Sequence, residues 1–369
     1  MPAADVSAPR VQGLALLRLT DADLVGGKAA NLGELIAAGL PVPGGFAVTA
    51  VAYLDSLEQA GLRDPIAELA ASTHHMDDQE RRGASAEARA LVHQAGMPED
   101  LAAEVRSAYD ELGSGPVAVR SSATGEDAAD SSFAGMNESY TNVEGPEDLI
   151  ARILDCWASL YGERVVSYRA SRELADEPAI SVVVQKMVDS EASGVMFTSD
   201  PSSGDRSHLV IEAALGLGEV VVGGLVEPDT YVVERDPLRL STIRVGRQAF
   251  RLVRKPDRTQ QSEDLTDDQG GSRVLDDAQI LDLARLGMRV EEYYGSPQDT
   301  EWALSGGQLH LLQSRPITTL GDGTDPDTPR TVASWCWQPR RGSPQAQSGS
   351  STPPPTATSS DPERSWSPR

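Results

Sequence analysis

A lysine preceded by two glycines lies just ahead of an amphipathic segment near the N-terminus. Gly26-Gly27-Lys28 precedes leucines that recur at helical spacing, so the motif is expected at the start of a helix. Free backbone N–H groups at a helix start, glycines that allow close approach and a mobile lysine charge together suit an anion such as phosphate. The spacing is not that of a Walker A loop. Taken alone, the motif is more typical of an exposed lysine at the beginning of a helix than of a phosphate site.

An arginine ends a short apolar segment in the middle of the chain. Residues 116–120 (PVAVR) are predicted to form a buried strand, and Arg120 is followed by Ser121 and Ser122. A guanidinium at a strand end, beside small hydroxyl side chains, suits bidentate contact with phosphate. The small-residue segment 131–136 is predicted to form a loop over a nucleotide. The alternative is a polar surface loop in which Arg120 pairs with a nearby acid.

Two pairs of polar residues lie on the strands of a predicted C-terminal hairpin. Asp299 and Glu301 share a face of one strand, as do Gln313 and Arg315 on the other. Oxygen ligands of this kind suit Mg²⁺, which keeps bound waters and is shared with substrate phosphates. Glu301 and Gln313 face the same side only if the connecting loop has an odd number of residues. We predict an odd loop with a left-handed glycine; solvated charges on an edge hairpin are the alternative.

The elements expected to position these residues alternate between helices and strands. A helix is predicted over residues 28–40, where Gly39 and Pro41 would end it. A single long helix is predicted over 147–169, with acidic residues at its start. Further elements are predicted before the final hairpin: strands over 181–188, 194–199, 208–214 and 230–235, and a helix over 277–294.

Composition excludes several classes of function. The 369 residues include 56 acidic and 32 basic side chains, a net charge of −24, which argues against nucleic acid and anionic membrane surfaces as partners. No apolar run approaches the ~20 residues that span a bilayer, and the N-terminus lacks the apolar run of a secretory signal. Cys156 and Cys336 are too few for a disulfide framework or a four-cysteine zinc site. We therefore expect a soluble, cytoplasmic protein.

The C-terminal segment differs in composition from the rest of the chain. Pro, Ser and Thr account for 24 of its 49 residues, and it has no helical or strand period, so disorder is predicted over 321–369. We expect an N-terminal extension over 1–11 and two lobes over 12–200 and 201–320. The abrupt change after Leu320 suggests the hypothesis that the tail is translated in a shifted frame.

The order of these motifs is more specific than any one of them. The chain contains, in sequence, VGGKAANLGELIAAGLPVPGGFAV, VAVRSSATGEDAADSSFAGMNESY, VVVQKM, ALGLGEVVVGG, DTEWAL and LLQSRPITTL. Over about residues 12–320 this order resembles the N-terminal ATP-binding domain of the phosphoenolpyruvate synthase and pyruvate phosphate dikinase family. Within that family, the stretch CWASLYGERVVSYR and the ending QSRPITTL are most similar to rifampicin phosphotransferases.

The resemblance implies an α+β ATP-grasp fold, in which two lobes clasp ATP. It also implies the reaction: members of the family split ATP into AMP, phosphate and a phosphoryl group carried on a histidine, which then passes to an acceptor. Such transfer depends mostly on positioning and charge neutralisation. The implied cofactors are therefore ATP and Mg²⁺, and the implied partner is a phosphohistidine carrier domain.

The family pattern also assigns roles to individual residues. It implies that Lys28, Arg120 and Arg315 hold phosphates. It places Gly135 and Ser139 in the loop over the nucleotide, and Gln185 beside the base or ribose. Glu301 and Gln313 would bind Mg²⁺, with Asp299 nearby. The resemblance implies the following ATP-binding set: Lys28, Arg120, Gly135, Ser139, Gln185, Glu301, Gln313 and Arg315.

Two departures from the family leave the complete activity open. Family enzymes are much longer, and none of the five histidines here stands in the expected carrier context. A carrier supplied by another polypeptide and a fragment that binds ATP without completing transfer are both consistent with the sequence. A self-contained ligase that activates a carboxylate is a third hypothesis. The products formed from ATP distinguish the three hypotheses: AMP is expected with a separate carrier, no product from a fragment, and ADP from a ligase. The sequence does not specify the final acceptor.

Overall fold

The chain folds into a mixed α+β architecture with two main antiparallel sheets. The computed structural model describes residues 8–123, 138–172, 174, 177–201, 203–255 and 260–317. Within these residues, one sheet has five strands, a second has six, and a separate pair forms a hairpin. This mixture of helix and sheet agrees with the predicted α+β class.

Thirteen strands are present in the described residues: β1 (Val11–Gly13), β2 (Gly45–Val48), β3 (Val117–Ala123), β4 (Ser139–Val143), β5 (Ile180–Lys186), β6 (Ala192–Phe197), β7 (His208–Leu215), β8 (Asp229–Arg235), β9 (Leu238–Arg244), β10 (Phe250–Arg254), β11 (Gln260–Asp264), β12 (Gln298–Ser305) and β13 (Gln308–Pro316). The α-helices of the same residues are α1 (Ala22–Ala37), α2 (Ala50–Gln59), α3 (Arg63–Ser72), α4 (Asp78–Ala95), α5 (Glu99–Glu111), α6 (Pro146–Ser159), α7 (Glu163–Ser171), α8 (Glu219–Val222), α9 (Asp267–Gly270) and α10 (Asp277–Tyr294).

The five-stranded sheet, in the order β1-β2-β5-β3-β4, has a different environment on each face. Side chains alternate between the faces of a strand. Val117 and Val119 therefore join the large core formed with α2, α4, α5 and α6. Val183 lies on the other face, in a smaller core with α1. Arg120 is directly opposite Val183 in the β3–β5 register, so it projects on the α1 side.

The six-stranded sheet has the order β13-β12-β6-β7-β8-β9 and also has two distinct faces. Met196, Ile211 and Trp302 lie in the core shared with α10. Val195 and Phe197 project from the opposite face, against α8 and the β10–β11 hairpin. Glu301 is paired with Val195 and therefore points away from α10. Arg120 therefore lies on the α1 side of the five-stranded sheet, and Glu301 lies on the face of the six-stranded sheet that points away from α10.

Helix α1 differs from its predicted limits. It begins at Ala22 rather than at Lys28, so Gly26-Gly27-Lys28 lies inside the helical segment and not ahead of it. The helix is nevertheless interrupted at Gly26, whose φ of 71° and ψ of 164° are not helical. Gly39 ends the segment as predicted: its N–H donates to the Ile36 carbonyl and its φ is positive.

The single long helix predicted over 147–169 is wrong. The structure has two helices, α6 and α7, separated by a turn at residues 160–162. Gly162 donates its N–H to the Ser159 carbonyl, which closes the turn. The turn directs Tyr161 into the core, where its hydroxyl is 2.8 Å from that of Tyr53. Packing of a buried tyrosine therefore outweighs the continuous helical periodicity of the sequence.

The chain passes from the first sheet to the second between Lys186 and Ala192. This passage lies before the lobe boundary predicted at 200/201, because β6 already belongs to the six-stranded sheet. The predicted tail, 321–369, lies outside the described residues, as do most of the residues predicted as the N-terminal extension, 1–11. Among the described helices, none has the length and apolar character needed to cross a membrane.

A buried carboxylate fixes two loops of the six-stranded sheet, and we expect its removal to destabilise the fold. Asp229 accepts hydrogen bonds from the Gly246 N–H (2.9 Å), the Val274 N–H (2.8 Å) and the Tyr231 hydroxyl (2.6 Å). Asp229→Ala leaves these buried donors without an acceptor, at a cost of about 3 kcal/mol. Denaturant unfolding measures the loss. Asp282→Ala, at an exposed position of α10, should cost under ~0.5 kcal/mol; equal losses in both variants would contradict the assignment.

Candidate functional site

The first part of the site is the end of β3 together with the interrupted turn of α1. Gly26 lies so close to β3 that an added Cβ would be 2.4 Å from the Ser122 carbonyl oxygen. This close approach brings Lys28 to the α1-side face from which Arg120 projects. The charge of Lys28 lowers the pKa of Glu301, on the other sheet, as one of several contributions. The sequence motif therefore places its lysine at the junction of the two sheets.

The second part is the β12–β13 hairpin, where the loop prediction is wrong. The turn has two residues, Gly306 and Gly307, both with positive φ, and not an odd number. A β-bulge supplies the missing residue: Trp302 pairs with Leu311, but Glu301 pairs with Gln313, so Leu312 is extra. Glu301 and Gln313 are therefore directly opposite and share a face, as predicted, but because of the bulge and not because of the length of the turn.

Two arginine–carboxylate pairs occupy this face of the hairpin. Arg120 reaches across from the first sheet, and its Nη2 lies 2.9 Å from Glu301 Oε2. Its Nη1 donates to the carbonyl oxygen of the bulge residue Leu312 at 3.3 Å. Next to this pair, Arg315 Nε donates to Asp299 Oδ2 at 2.8 Å. The two arginines proposed to bind phosphate thus neutralise the two carboxylates proposed to bind the metal ion. The alternative considered for Arg120, an ion pair with an acidic residue, is therefore also present, with Glu301 as the partner.

Burial and the arginines act in opposite directions on the two carboxyls. Burial raises the pKa of Asp299, whose residue is 8% exposed, and the adjacent Arg315 offsets this only in part. Burial also acts to raise the pKa of Glu301, but Arg120, assisted by Arg315 and Lys28, outweighs it and lowers that pKa below its usual value. Glu301 is therefore ionised at neutral pH and carries its negative charge against Arg120.

The hairpin also carries side-chain oxygen atoms of the kind that could hold a magnesium ion. Gln313 Oε1 is buried and has no hydrogen-bond partner in the described residues, and Gln313 is directly opposite Glu301. An unpartnered amide oxygen beside an ionised carboxylate fits Mg²⁺, which needs only one or two protein ligands when phosphate and water supply the rest. No cluster of three or more His, Cys, Asp or Glu side chains suited to a metal occurs in the described residues.

A cleft of about 360 Å³ extends from the hairpin along the face of β5. This volume is within the usual range for small-molecule sites. Gln185 and Ser139, both predicted site residues, line it, and Gln185 is 3% exposed with no partner for its Nε2. The apolar part of the wall consists of Ala118, Met187, Val188, Leu217, Val222, Trp302 and Leu312. A polar end and an apolar end suit a ligand that has both a charged and a flat apolar part.

The structure brings most of the predicted site residues together. Arg120, Ser139, Gln185 and Glu301 line one cleft. Lys28 acts electrostatically on Glu301, Gln313 pairs with it, and the Asp299–Arg315 pair lies next along the hairpin. Gly135 lies outside the described residues.

Sequence reasoning missed Glu219 as a site residue. Glu219 lines the cleft at the start of α8, directly after the GLG sequence that follows β7. Thr141 Oγ1 donates to its Oε1 at 2.5 Å, and Gln260 Nε2 donates to its Oε2 at 2.8 Å. The stretch ALGLGEVVVGG contributed only to the family resemblance, and its acidic residue was not connected with a site. Its two hydrogen-bond partners, Thr141 in β4 and Gln260 in β11, are distant in the sequence, so residue spacing does not predict these contacts.

Comparison with known proteins gives a consistent result. Residues 22–334 match the family model described as "Pyruvate phosphate dikinase, AMP/ATP-binding domain", which extends beyond the end at residue 320 expected from the sequence. The chain is 42% identical over 312 residues to a probable phosphoenolpyruvate synthase of Methanothermobacter thermautotrophicus, covering 83% of this chain and 45% of the relative. It is 44% identical over 306 residues to a probable phosphoenolpyruvate synthase of Archaeoglobus fulgidus, covering 81% and 40%.

A rifampicin phosphotransferase of a Streptomyces species is similar to nearly the same degree. Its identity to this chain is 40% over 300 residues, covering 80% of this chain and 34% of the relative. The chain thus spans less than half the length of each of these three relatives. The small differences in identity do not separate the two kinds of enzyme, so the acceptor is not identified by these comparisons.

Proposed function

The chain belongs to the pyruvate phosphate dikinase AMP/ATP-binding domain family, and from that premise we propose that its cleft binds Mg·ATP and donates a phosphoryl group to a histidine carrier. In the proposed reaction ATP, water and the carrier histidine give AMP, inorganic phosphate and the phosphorylated carrier, with one phosphoryl group passing to the histidine and the other to water, as in phosphoenolpyruvate synthases and rifampicin phosphotransferases. We also propose that the two sheets act as the two lobes of an ATP-grasp fold, clasping the nucleotide between them.

One observation carries the proposal: Arg120 and Glu301 line the cleft at its hairpin end, Lys28 and Arg315 act electrostatically on Glu301, and Gln313 is paired with it. Lys28, Arg120 and Arg315 supply positive charge for a polyphosphate, while Glu301 and Gln313 supply oxygens for Mg²⁺. Phosphoryl transfer requires that phosphate oxygens be held in line and that their charge be neutralised. Glu301 and Gln313 would hold Mg²⁺, which when bound would supply positive charge to neutralise the phosphates during transfer.

The other end of the cleft suits the nucleoside. Its apolar wall, with Met187 and Leu217, provides a surface for a base. Gln185 has an unpartnered amide N–H within this wall, which supports its role beside the base or ribose. Ser139 and Glu219 line the same cleft and offer hydrogen-bonding groups to ribose or phosphate. We propose that ATP lies with its base in this region and its phosphates toward the hairpin.

The proposed acceptor is a histidine on a separate carrier domain, in the same polypeptide or in another. None of the described residues lining the cleft is a histidine. Two described histidines lie beside carboxylates outside the cleft: His208 Nδ1 is 2.7 Å from Asp205 Oδ2 in a surface turn, and His93 Nε2 is 3.6 Å from Asp155 Oδ1. The chemistry at the cleft would end with transfer to an imidazole nitrogen that enters from outside.

Product analysis tests the proposal. The chain is incubated with Mg²⁺ and ATP labelled separately in the adenine, the β-phosphate and the γ-phosphate, with and without the histidine-bearing domain of a phosphoenolpyruvate synthase relative. We expect AMP and an acid-labile phosphorylated carrier only when the carrier is present. ADP formed with an added carboxylic acid would instead support a ligase. Tight binding of Mg·ATP without turnover, even with the carrier, would support a chain that only binds the nucleotide.

Removal of the Lys28 charge tests the phosphate end directly. Lys28→Ala is expected to weaken Mg·ATP binding by more than about tenfold, because a cation that faces the phosphates in a partly buried site contributes well over 1.4 kcal/mol. Calorimetric titration with Mg·ATP measures the change. Lys255→Ala is the matched control, since Lys255 acts on Glu263 of the β10–β11 hairpin and does not line the cleft. Unchanged affinity in Lys28→Ala would remove this residue from the site.

A further inference from the structure

A groove of about 460 Å³ lies between strand β1 and helix α5. One wall is the backbone of β1, the outer strand of the five-stranded sheet, where Val11 and Gly13 line the groove. The other wall is one face of α5, on which the lining residues recur at three- and four-residue spacing: Glu104, Ser107, Ala108 and Glu111. None of the residues that line this groove lines the cleft beside the β12–β13 hairpin, so the two sites are separate.

The backbone of β1 has hydrogen-bonding groups on the groove side that its pairing with β2 does not use. The Thr49 N–H donates to the Arg10 carbonyl at 2.9 Å, which makes the residue pair at the start of the β1–β2 register a hydrogen-bonded one. Bonded and non-bonded pairs alternate along an antiparallel ladder, so the N–H and C=O groups of Val11 and Gly13 point away from β2. No strand of the described residues pairs with this edge. The edge can therefore accept one more strand.

Gly13 leaves room for such a strand beside α5. Val11, two residues earlier on the same face of β1, packs against the core to which α5 contributes. A side chain at position 13 would project to the same side, and an added Cβ there would have no atom within 4 Å. The space that a larger residue would fill is therefore part of the groove.

The charge of the groove selects the kind of strand that fits it. Glu104 and Glu111 lie on the α5 wall, and none of the described lining residues is basic. Glu104 is paired with Arg10, whereas Glu111 is exposed and forms no ion pair within the described residues. A lysine or arginine on the added strand would supply the missing partner. The net charge of −24 would also attract a basic segment from a distance.

We propose that the groove between β1 and α5 is a docking site for an extended, basic segment of a partner protein, which adds to the five-stranded sheet as a sixth strand beside β1. The backbone groups of Val11 and Gly13 bond the backbone of this segment, and one of its basic side chains pairs with Glu111. In this mode of recognition main-chain hydrogen bonds supply affinity, and the side chains that face the groove supply specificity. The added strand would extend the sheet whose strand β5 carries Gln185.

Binding of a short synthetic peptide tests the proposal. The probe is an acetylated and amidated seven-residue peptide of alternating valine and arginine that carries a fluorophore, and its binding to the full chain is followed by fluorescence anisotropy. We expect the full chain to bind it at least about tenfold more tightly than the same peptide with glutamate in place of arginine. The arginine peptide with methylated backbone nitrogens cannot donate to the carbonyls of β1, and it should bind at least about tenfold more weakly.

Two substitutions test the same contacts from the side of the chain. Gly13→Pro removes an outward N–H, and we expect the fold to be retained because Gly13 already has the φ of −61° that proline fixes. This variant should bind the arginine peptide about tenfold more weakly at an unchanged unfolding temperature. Glu111→Gln should weaken binding about threefold, an effect that added salt reduces. Glu87→Gln, at an exposed position of α4 outside the groove, is the matched control and should leave binding unchanged.

Hydrogen exchange shows where the peptide binds. The N–H groups of Val11 and Gly13 should exchange rapidly in the free protein and slowly when the arginine peptide is bound. Slow exchange in the free protein would show that the chain itself covers this edge, and it would overturn the proposal. Equal binding of the arginine and glutamate peptides, or binding that leaves the exchange of Val11 and Gly13 unchanged, would also overturn it. None of these results depends on Mg·ATP, so the proposed function is tested separately.

Discussion

Glu301→Gln is expected to lower the affinity for Mg·ATP by about 100-fold while leaving the affinity for metal-free ATP unchanged or higher. The glutamine keeps the size of the side chain and an oxygen that can accept a hydrogen bond from Arg120. It removes the negative charge that the surrounding cations keep ionised. A charged metal ligand contributes several kcal/mol in a partly buried site, and 1.4 kcal/mol corresponds to a factor of ten.

The two measurements together identify the role of the carboxylate. Calorimetric titrations with ATP, once with excess Mg²⁺ and once with EDTA, give the metal-dependent and metal-independent affinities of the same protein. A phosphate-binding defect would lower both, whereas loss of a metal ligand lowers only the first. Removal of the negative charge that lies against Arg120 favours binding of the bare anion, which is why the second affinity is not expected to fall.

Glu292→Gln is the matched control for this substitution. Glu292 is exposed on α10, on the far side of the six-stranded sheet from the cleft, and lines no part of it. Its replacement should leave both affinities within a factor of two of the unaltered chain. Equal affinity for Mg·ATP in Glu301→Gln and Glu292→Gln would show that Glu301 is not a metal ligand.

The hairpin shows what the sequence predicts about this site and what it does not. Residue types and i, i+2 spacing are enough to place Asp299 with Glu301 and Gln313 with Arg315. The relation between the two pairs is not local, because it depends on where an extra residue is inserted between paired strands. A two-residue turn with a bulge at Leu312 and a three-residue turn without one give the same facing. The sequence therefore allows the prediction that Glu301 and Gln313 share a face, but it does not show where a bulge is inserted.

Elements with strong local signals were predicted well, and those shaped by packing were not. The helix predicted over 277–294 agrees with α10 (Asp277–Tyr294), whose apolar face and capping aspartate are both visible in the sequence. The division of the predicted helix 147–169 depends on Tyr161 and its contact with Tyr53, more than 100 residues away. Likewise, the Arg120–Glu301 pair joins residues that are 181 positions apart. The sequence indicates that each has a charge suited to phosphate chemistry, and only the fold shows that they neutralise each other.

Gly26→Ala is expected to destabilise the chain by about 3 kcal/mol or more and to weaken Mg·ATP binding. Gly26 has φ 71° and ψ 164°, a backbone region that is essentially restricted to glycine and costs other residues about 1–3 kcal/mol. An alanine Cβ would also lie 2.3 Å from Ser122 Oγ and 2.4 Å from the Ser122 carbonyl oxygen. The backbone must therefore move away from β3, and Lys28, two residues further along, moves with it. Thermal unfolding and Mg·ATP titration of the same samples measure both effects.

Gly83→Ala makes the same chemical change at a position where the fold has room for it. Gly83 lies within α4, has nothing within 4 Å of an added Cβ, and is not among the glycines with positive φ. Alanine there should raise stability by about 0.4–1 kcal/mol, because it restricts the unfolded chain and favours the helix. The two variants are thus expected to shift the unfolding temperature in opposite directions. A Gly26→Ala protein that unfolds like Gly83→Ala and binds Mg·ATP normally would show that the close approach of α1 to β3 does not position Lys28.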